Sequence, residues 1–187
     1  MMGAVAVDSA PAIPSEWRGI LDPDETIVWQ GRPDGGLDIG PAEIFPAAFA
    51  LFFAGFAVFW MVMASANGGA FWMFGLIHFS VGVGIFVNSL FGPTWRRRFT
   101  WYTLTDRRAF IATDLPLRGK ALSSYPITPD SPLSAHGDRF KTIHFARERR
   151  VGDKGRSYTV NIGFERIADG DRVMALLREA QRAKETA

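Results

Sequence analysis

Two clusters of basic side chains carry most of the chemistry available to this chain. Arg96, Arg97 and Arg98 follow directly behind a long apolar stretch, and Arg147, Arg149, Arg150, Lys154 and Arg156 gather within ten residues further on. Guanidinium groups hold phosphate and carboxylate through several N–H donors in a fixed fork. Near an anionic leaflet each basic residue contributes about 1 kcal/mol of attraction. Arg96–Arg98 are therefore candidates for lipid-headgroup contact, and equally for a topology signal that marks the cytoplasmic side of a span. The second cluster could face lipid, an acidic partner or the chain's own acidic segment, or form a solvated hairpin tip. The positive excess is moderate and no strand carries an RNA-binding signature, so nucleic acid is not an expected partner.

The remaining reactive types are sparse. There is no cysteine, which excludes disulfides, thiolate catalysis and Cys-ligated metal. His78 sits inside the apolar stretch, where an ionisable group is a functional candidate by default. It has no second ligand there, so a neutral, hydrogen-bonded histidine is the expectation. His136 and His144 show no metal-ligand spacing, and Ser123-Ser124 has no neighbouring base in sequence. Gly82-Val83-Gly84 lies within the apolar stretch rather than between a strand and a helix, so it is no nucleotide loop. No nucleophile elbow, zinc-protease motif or P-loop occurs. These observations predict a non-enzyme without cofactor or metal. Asp106-Arg107-Arg108 reads as a structural turn, or as a partner for Glu25 or Asp24.

The elements that position these residues follow from the charge pattern. No Lys, Arg, Asp or Glu lies between Ile44 and Phe91. A bilayer crossing needs about 20 mostly apolar residues, so the window holds two spans, Phe45–Ala66 and Ala70–Phe91, joined by Asn67-Gly68-Gly69. The small residues Ala47, Ala50, Ala54, Ala57 and Ala64 recur at steps of three, four and seven, as do Gly75, His78 and Gly82. Small stripes let helices approach closely in lipid, which predicts a helical hairpin packed through Ala50, Ala54, Ala57, Gly75, His78 and Gly82. The basic triplet places both flanks in the cytoplasm. No cleaved signal is expected, because Ala4–Val7 is too short for a signal core.

Three regions result: an arm (1–43), the hairpin (44–92) and a C-terminal domain (93–187). The arm carries two basic and eight acidic residues, and residues 92–187 carry 19 basic and 11 acidic ones. Arm and domain could therefore attract each other or face different partners. Thr26–Gln30 reads as a strand that must pair with the domain. Phe99–Thr105 and Ala109–Thr113 read as strands. Residues 114–138 hold four prolines, which argues against long strands there. Arg139–Arg147 and Ser157–Phe164 read as a hairpin about Gly152-Asp153-Lys154-Gly155. An amphipathic helix starts at Ala168-Asp169, with Val173, Leu176, Leu177 and Ala180 as its apolar stripe. Strands followed by one such helix predict an α+β domain.

Three segments in this order resemble a known family: Leu21-Asp22-Pro23-Asp24-Glu25-Thr26-Ile27-Val28-Trp29-Gln30-Gly31-Arg32-Pro33, Tyr102-Thr103-Leu104-Thr105-Asp106-Arg107-Arg108-Ala109-Phe110-Ile111, and Phe164-Glu165-Arg166-Ile167-Ala168-Asp169-Gly170-Asp171-Arg172-Val173. Arranged around two spans, they are similar to the bacterial pleckstrin-homology-like (PH-like) membrane proteins. The resemblance implies a bent β-sandwich or partly open barrel capped by the C-terminal helix, and no particular reaction. The expectation is a multi-pass protein of the bacterial inner membrane, both termini cytoplasmic, whose PH-like domain binds lipid or protein as an adaptor. The alternative is an accessory subunit of a larger membrane complex or a homo-oligomer, docked through the hairpin.

Overall fold

The computed structural model describes residues 17–66, 68–116, 118–152 and 155–185. The N-terminal tail, Asn67 of the expected turn and Asp153-Lys154 of the expected hairpin tip lie outside the described residues. The apolar stretch forms two helices of 25 residues each, α1 (Pro41–Ser65) and α2 (Phe74–Arg98), the second entered through a 3-10 turn at Phe71–Met73. At about 1.5 Å per residue each is roughly 37 Å long. Both are long and apolar enough to cross a membrane. Pro41 occupies the first turn of α1, where its missing N–H costs nothing. Glu43 reaches back to accept the Gly40 N–H at 3.0 Å. α2 does not stop near Phe91 but continues through Pro93, so the basic triplet is its last helical turn. Cations there complement the negative end of the helix dipole.

The small-residue stripe is the contact between the helices. Ala47, Ala50, Ala54 and Ala57 of α1 and Gly75 and Gly82 of α2 are buried. A Cβ on Gly82 would lie 2.9 Å from the Ala54 Cβ, and one on Gly75 would lie 2.2 Å from the Met61 Cγ. These pairings run in opposite directions along the chain, so the helices are antiparallel. His78, expected in the same stripe, lies at its exposed rim, with its ring against Phe53 and Phe74. Its Nδ1 is 3.3 Å from the Phe74 carbonyl oxygen of its own helix rather than bonded across the pair. Large apolar side chains cover the outer faces, with Phe45 80% and Phe52 75% exposed.

The remaining chain is an α+β unit. β1 (Ile27–Gly31), β2 (Thr100–Thr105), β3 (Arg108–Leu115) and β4 (Gly119–Pro126) form one antiparallel sheet in that order. The arm strand thus pairs with the domain as expected, Gly31 opposite Tyr102 and Ile27 opposite Thr105. β5 (Ser134–His136), β6 (Lys141–Val151) and β7 (Ser157–Ile167) form a second, separate antiparallel sheet. The proline-rich stretch corrects the expectation: residues 114–138 contain the eight-residue β4 and the short β5. Pro116 precedes β4 and Pro126 is its last residue, so the prolines bracket the strand without interrupting its ladder.

The two sheets share one core. Trp29, Tyr102, Leu104 and Ala109 meet Ile143, Phe145, Ile162, Phe164 and Ile167, and α3 (Gly170–Glu185) adds Val173, Met174, Leu177 and Ala180. Phe164 lies at its centre, 4.7 Å from the Tyr102 ring and 4.8 Å from Phe145. Ile143 and Phe145, two apart, point to the same face and are both buried, and a bulge at Phe145 shifts the register beyond them. Gln181 donates from Nε2 to the carbonyl oxygens of Thr128, Pro129 and Ser131, tying the loop after β4 to α3.

Replacing Gly82 with Leu forces the helices apart, whereas Gly84 has open space at its Cβ position. Gly82→Leu is expected to cost about 1–3 kcal/mol, the size of an overpacking penalty, and Gly84→Leu close to nothing. Thermal unfolding in mild detergent checks this, and equal losses at both positions would remove Gly82 from the contact.

Candidate functional site

The arginine triplet sits where α2 meets the domain, and its three members do different things. Successive helical residues are about 100° apart, so the three side chains leave the helix in different directions. Arg97 is the one whose guanidinium is hydrogen-bonded to the connector between β1 and α1. It is 7% exposed. Its Nε donates to the Asp34 carbonyl oxygen at 3.2 Å, and its Nη2 to the Gly36 carbonyl oxygen and to Thr94 Oγ1, each at 3.0 Å. Arg166 grips the same connector from β7. Its guanidinium reaches the Asp34 carboxylate at 3.0 Å and the Asp38 carboxylate at 2.7 Å, while the Asp34 N–H donates to the Arg166 carbonyl oxygen at 2.8 Å. The Arg166 hydrogen bond holds the Asp34 carboxyl below its usual range against the opposing effect of burial.

Arg96 and Arg98 remain exposed. Arg96 approaches Glu165 at 3.8 Å, a distance too long for a good hydrogen bond. Arg98 lays its aliphatic stem near Gly35. The second basic group is not one patch. Arg147 stands opposite Asn161 and Arg149 opposite Thr159, whereas Arg150 stands opposite Tyr158, one residue out of phase and so on the other face of the sheet. Arg149 donates to Ser157 Oγ at 2.7 Å and Arg150 pairs with Glu148 at 2.9 Å. Arg147 and Arg156 are exposed, and Lys154 lies outside the described residues.

A cleft of about 290 Å³ runs between the inner face of the first sheet and the free edge of β7. Arg96, Arg97 and Glu165 lie at one end of it and Arg150 lines it further along β7. Thr100, Tyr102, Ile111, Thr113, Ser123 and Tyr125 form one wall, and Val160 to Gly163 the other. The Glu165 N–H donates to the Tyr102 hydroxyl at 3.1 Å. Burial pushes the Tyr102 phenol up to about 12, so it stays a protonated donor. The lining holds one carboxylate and no histidine. Sequence reading missed this cleft, because Tyr102 and Glu165 are far apart in the chain and only the packing of β7 against β2 brings them together.

The arm is held by a buried ion pair that the sequence raised as an alternative. Glu25 is 1% exposed. Its carboxylate accepts from both Arg108 Nε, at 3.1 Å, and Arg108 Nη2, and from Thr105 Oγ1 at 2.6 Å and the Asp22 N–H at 3.1 Å. Asp106 accepts the Thr26 N–H at 3.1 Å, so the turn residues are structural and also dock the arm. Trp29 Nε1 donates to Asp169 at 2.7 Å, linking β1 to the start of α3. His136 and His144 have ring centroids 5.7 Å apart, and burial, then His136, lowers the His144 pKa. No group of three or more His, Cys, Asp or Glu able to hold a metal occurs among the described residues. No protein-family model, curated protein or solved structure matches the chain.

Burial pushes the Glu25 carboxyl up, and the hydrogen bonds from Arg108, Thr105 and Asp22 outweigh it, lowering it from 4.5 to about 2. The folded value lies below the unfolded one, so this contribution is complete above pH 4.5 and is lost as pH falls toward 2. Glu25→Gln is expected to reduce stability at pH 7 and to flatten the acid limb between those values. Denaturant unfolding across that range checks it; an unchanged acid limb would show that the pair does not govern acid sensitivity.

Proposed function

We propose that this protein is a membrane-anchored, non-enzymatic binding module. α1 and α2 cross the inner membrane of a bacterium as a hairpin, and both flanks lie in the cytoplasm. The α+β unit is a PH-like domain held at the cytoplasmic leaflet, where it acts as an adaptor for lipid or protein. The observation that carries this reading is the outer surface of the two helices. Their small residues are taken up by each other, and the faces left outside are Phe, Trp, Met, Val and Ile with no charge from Ile44 to Phe91. In water so large a contiguous apolar surface is an association hazard; in lipid it is solvated.

The end of α2 supports the placement. Trp95 is exposed one residue before the triplet, and Arg96 and Arg98 extend from the same turn. An aromatic ring followed by cations suits the boundary between hydrocarbon and headgroups. Because Arg97 binds the connector, this boundary is rigidly joined to the domain, which then lies against the leaflet rather than on a loose tether. The rival reading, an accessory subunit docked through the hairpin, would use the outer helix faces, since the small-residue stripe is taken up by the α1–α2 contact.

The test is topological. After alkaline extraction the protein should stay with the membrane fraction. A phosphatase reporter, active only outside the cytoplasm, should be active when inserted at Gly68 and inactive when fused after Ala187. Release at alkaline pH would sink the anchor, and phosphatase activity at the C-terminus would overturn the orientation.

A further inference from the structure

We propose that the cleft between β7 and the first sheet is a site for the phosphate-and-polyol headgroup of an anionic phospholipid. The inference rests on the membrane placement above and goes beyond it by naming a site and a ligand chemistry. The first support is position. The cleft begins at Arg96, in the last turn of the helix that leaves the apolar stretch. A headgroup can therefore enter while its acyl chains stay in the leaflet.

The second support is an uncommitted set of donors. Arg97 adds positive charge, but its guanidinium is held by connector carbonyls. Arg96 has only the long approach to Glu165, and its side chain is 60% exposed. The Tyr102 hydroxyl accepts from the Glu165 N–H, yet its own proton has no acceptor among the described residues. The hydroxyls of Thr113 and Ser123 likewise have no partner there. β7 is the last strand of its sheet, so its outer backbone groups are unpaired along this wall. Arg150, further along the cleft, is paired with Glu148 at 2.9 Å, which leaves Arg96 as the guanidinium without a close partner; beside several neutral donors and acceptors, it fits a phosphodiester that carries hydroxyl groups.

Charge and size narrow the ligand further. Glu165 offsets part of the positive charge at the Arg96 end, which favours a single anionic phosphodiester over a multiply phosphorylated ligand. The volume of about 290 Å³ is at the small end of ligand sites and suits a headgroup, not an acyl chain. Ile111, Val160 and Ile162 supply apolar wall, which keeps the donors partly out of water and strengthens them.

The experiment uses the full-length protein in phosphatidylcholine nanodiscs doped with phosphatidylglycerol or phosphatidylmethanol. The two dopants have the same charge, and the second lacks the glycerol hydroxyls. Retained lipid is read by native mass spectrometry. The wild type is expected to retain phosphatidylglycerol over both other lipids. Arg96→Ala should weaken retention of both anionic lipids about tenfold, the scale of one charge-assisted hydrogen bond. Arg98→Ala removes the same charge from the same turn outside the cleft and should leave retention unchanged. Ser123→Ala should abolish only the preference for phosphatidylglycerol over phosphatidylmethanol. Equal effects of the two arginine variants, or none, would overturn the site. So would displacement of the lipid by equimolar glycerol 3-phosphate, which would assign the cleft to a soluble phosphate. Alkaline extraction of each variant separates the two levels: release from the membrane counts against the anchor, whereas selective loss of lipid preference concerns the cleft alone.

Discussion

Hairpin and domain are held together by arginine side chains on backbone carbonyls and carboxylates. The connector from Asp34 to Ile39 has no regular structure, so its carbonyl oxygens have no ladder or helix to satisfy them. A buried carbonyl without a donor is costly. Arg97 supplies donors to two of these oxygens from the end of α2, and Arg166 supplies charge to Asp34 and Asp38 from β7. One short segment is thus gripped from both sides. A lysine could not replace Arg97, because its compact ammonium lacks the planar fork that reaches Asp34, Gly36 and Thr94 together.

That grip accounts for the conformation of Arg166. Its φ is +49°, the positive-φ non-glycine position among the described residues, and such backbone costs of the order of 1 kcal/mol or more. The residue closes β7 just before α3, donates its N–H to Thr142 Oγ1 and accepts the Asp34 N–H. Strand end, connector and helix start meet at this point. Trp29, bonded to Asp169, fixes β1 to the same corner from the arm side. The arm is therefore a structural strand of the domain, separated from the rest of it in sequence by the whole hairpin.

The features legible in the sequence were those written in local patterns. The absence of charge from Ile44 to Phe91, the β-prone run at Thr26–Gln30 and the apolar stripe of Val173, Leu177 and Ala180 each announce an element through its own neighbours. β4 was illegible because prolines at its margins look the same in sequence as prolines inside it. The division of Arg147, Arg149 and Arg150 between two faces was partly legible, since alternation along a strand separates odd from even positions. The bulge at Phe145, which shifts the register, has no residue signature. The triplet could have been resolved by extending α2 to Arg98, for helical phase alone separates Arg97 from its neighbours. The cleft could not, because it is made by a free strand edge and a distant sheet.

The opposite charges of arm and domain now have a physical meaning. Glu25 is engaged by Arg108, and Asp34 and Asp38 by Arg166. Part of the acidic excess of the arm therefore neutralises cations of the domain, at Arg108 of β3 and Arg166 of β7. The Glu25–Arg108 pair does more than a surface ion pair, whose contribution is about 0–1 kcal/mol. The Glu25 carboxylate is buried, so removing either partner would strand a charge in the interior. Exposed cations remain at Arg96 and Arg98 beside the end of α2, and at Arg147, Arg149, Arg150 and Arg156 on the long hairpin. Some of these have neighbours of their own, Glu165 for Arg96 and Glu148 for Arg150, but only through exposed contacts that water and salt weaken. The charge division that looks like two independent surfaces in sequence becomes, in the fold, a set of pairs between arm and domain, with Glu25 drawn into the interior and Asp34 partly covered while Asp22, Asp24 and Asp38 stay at the surface.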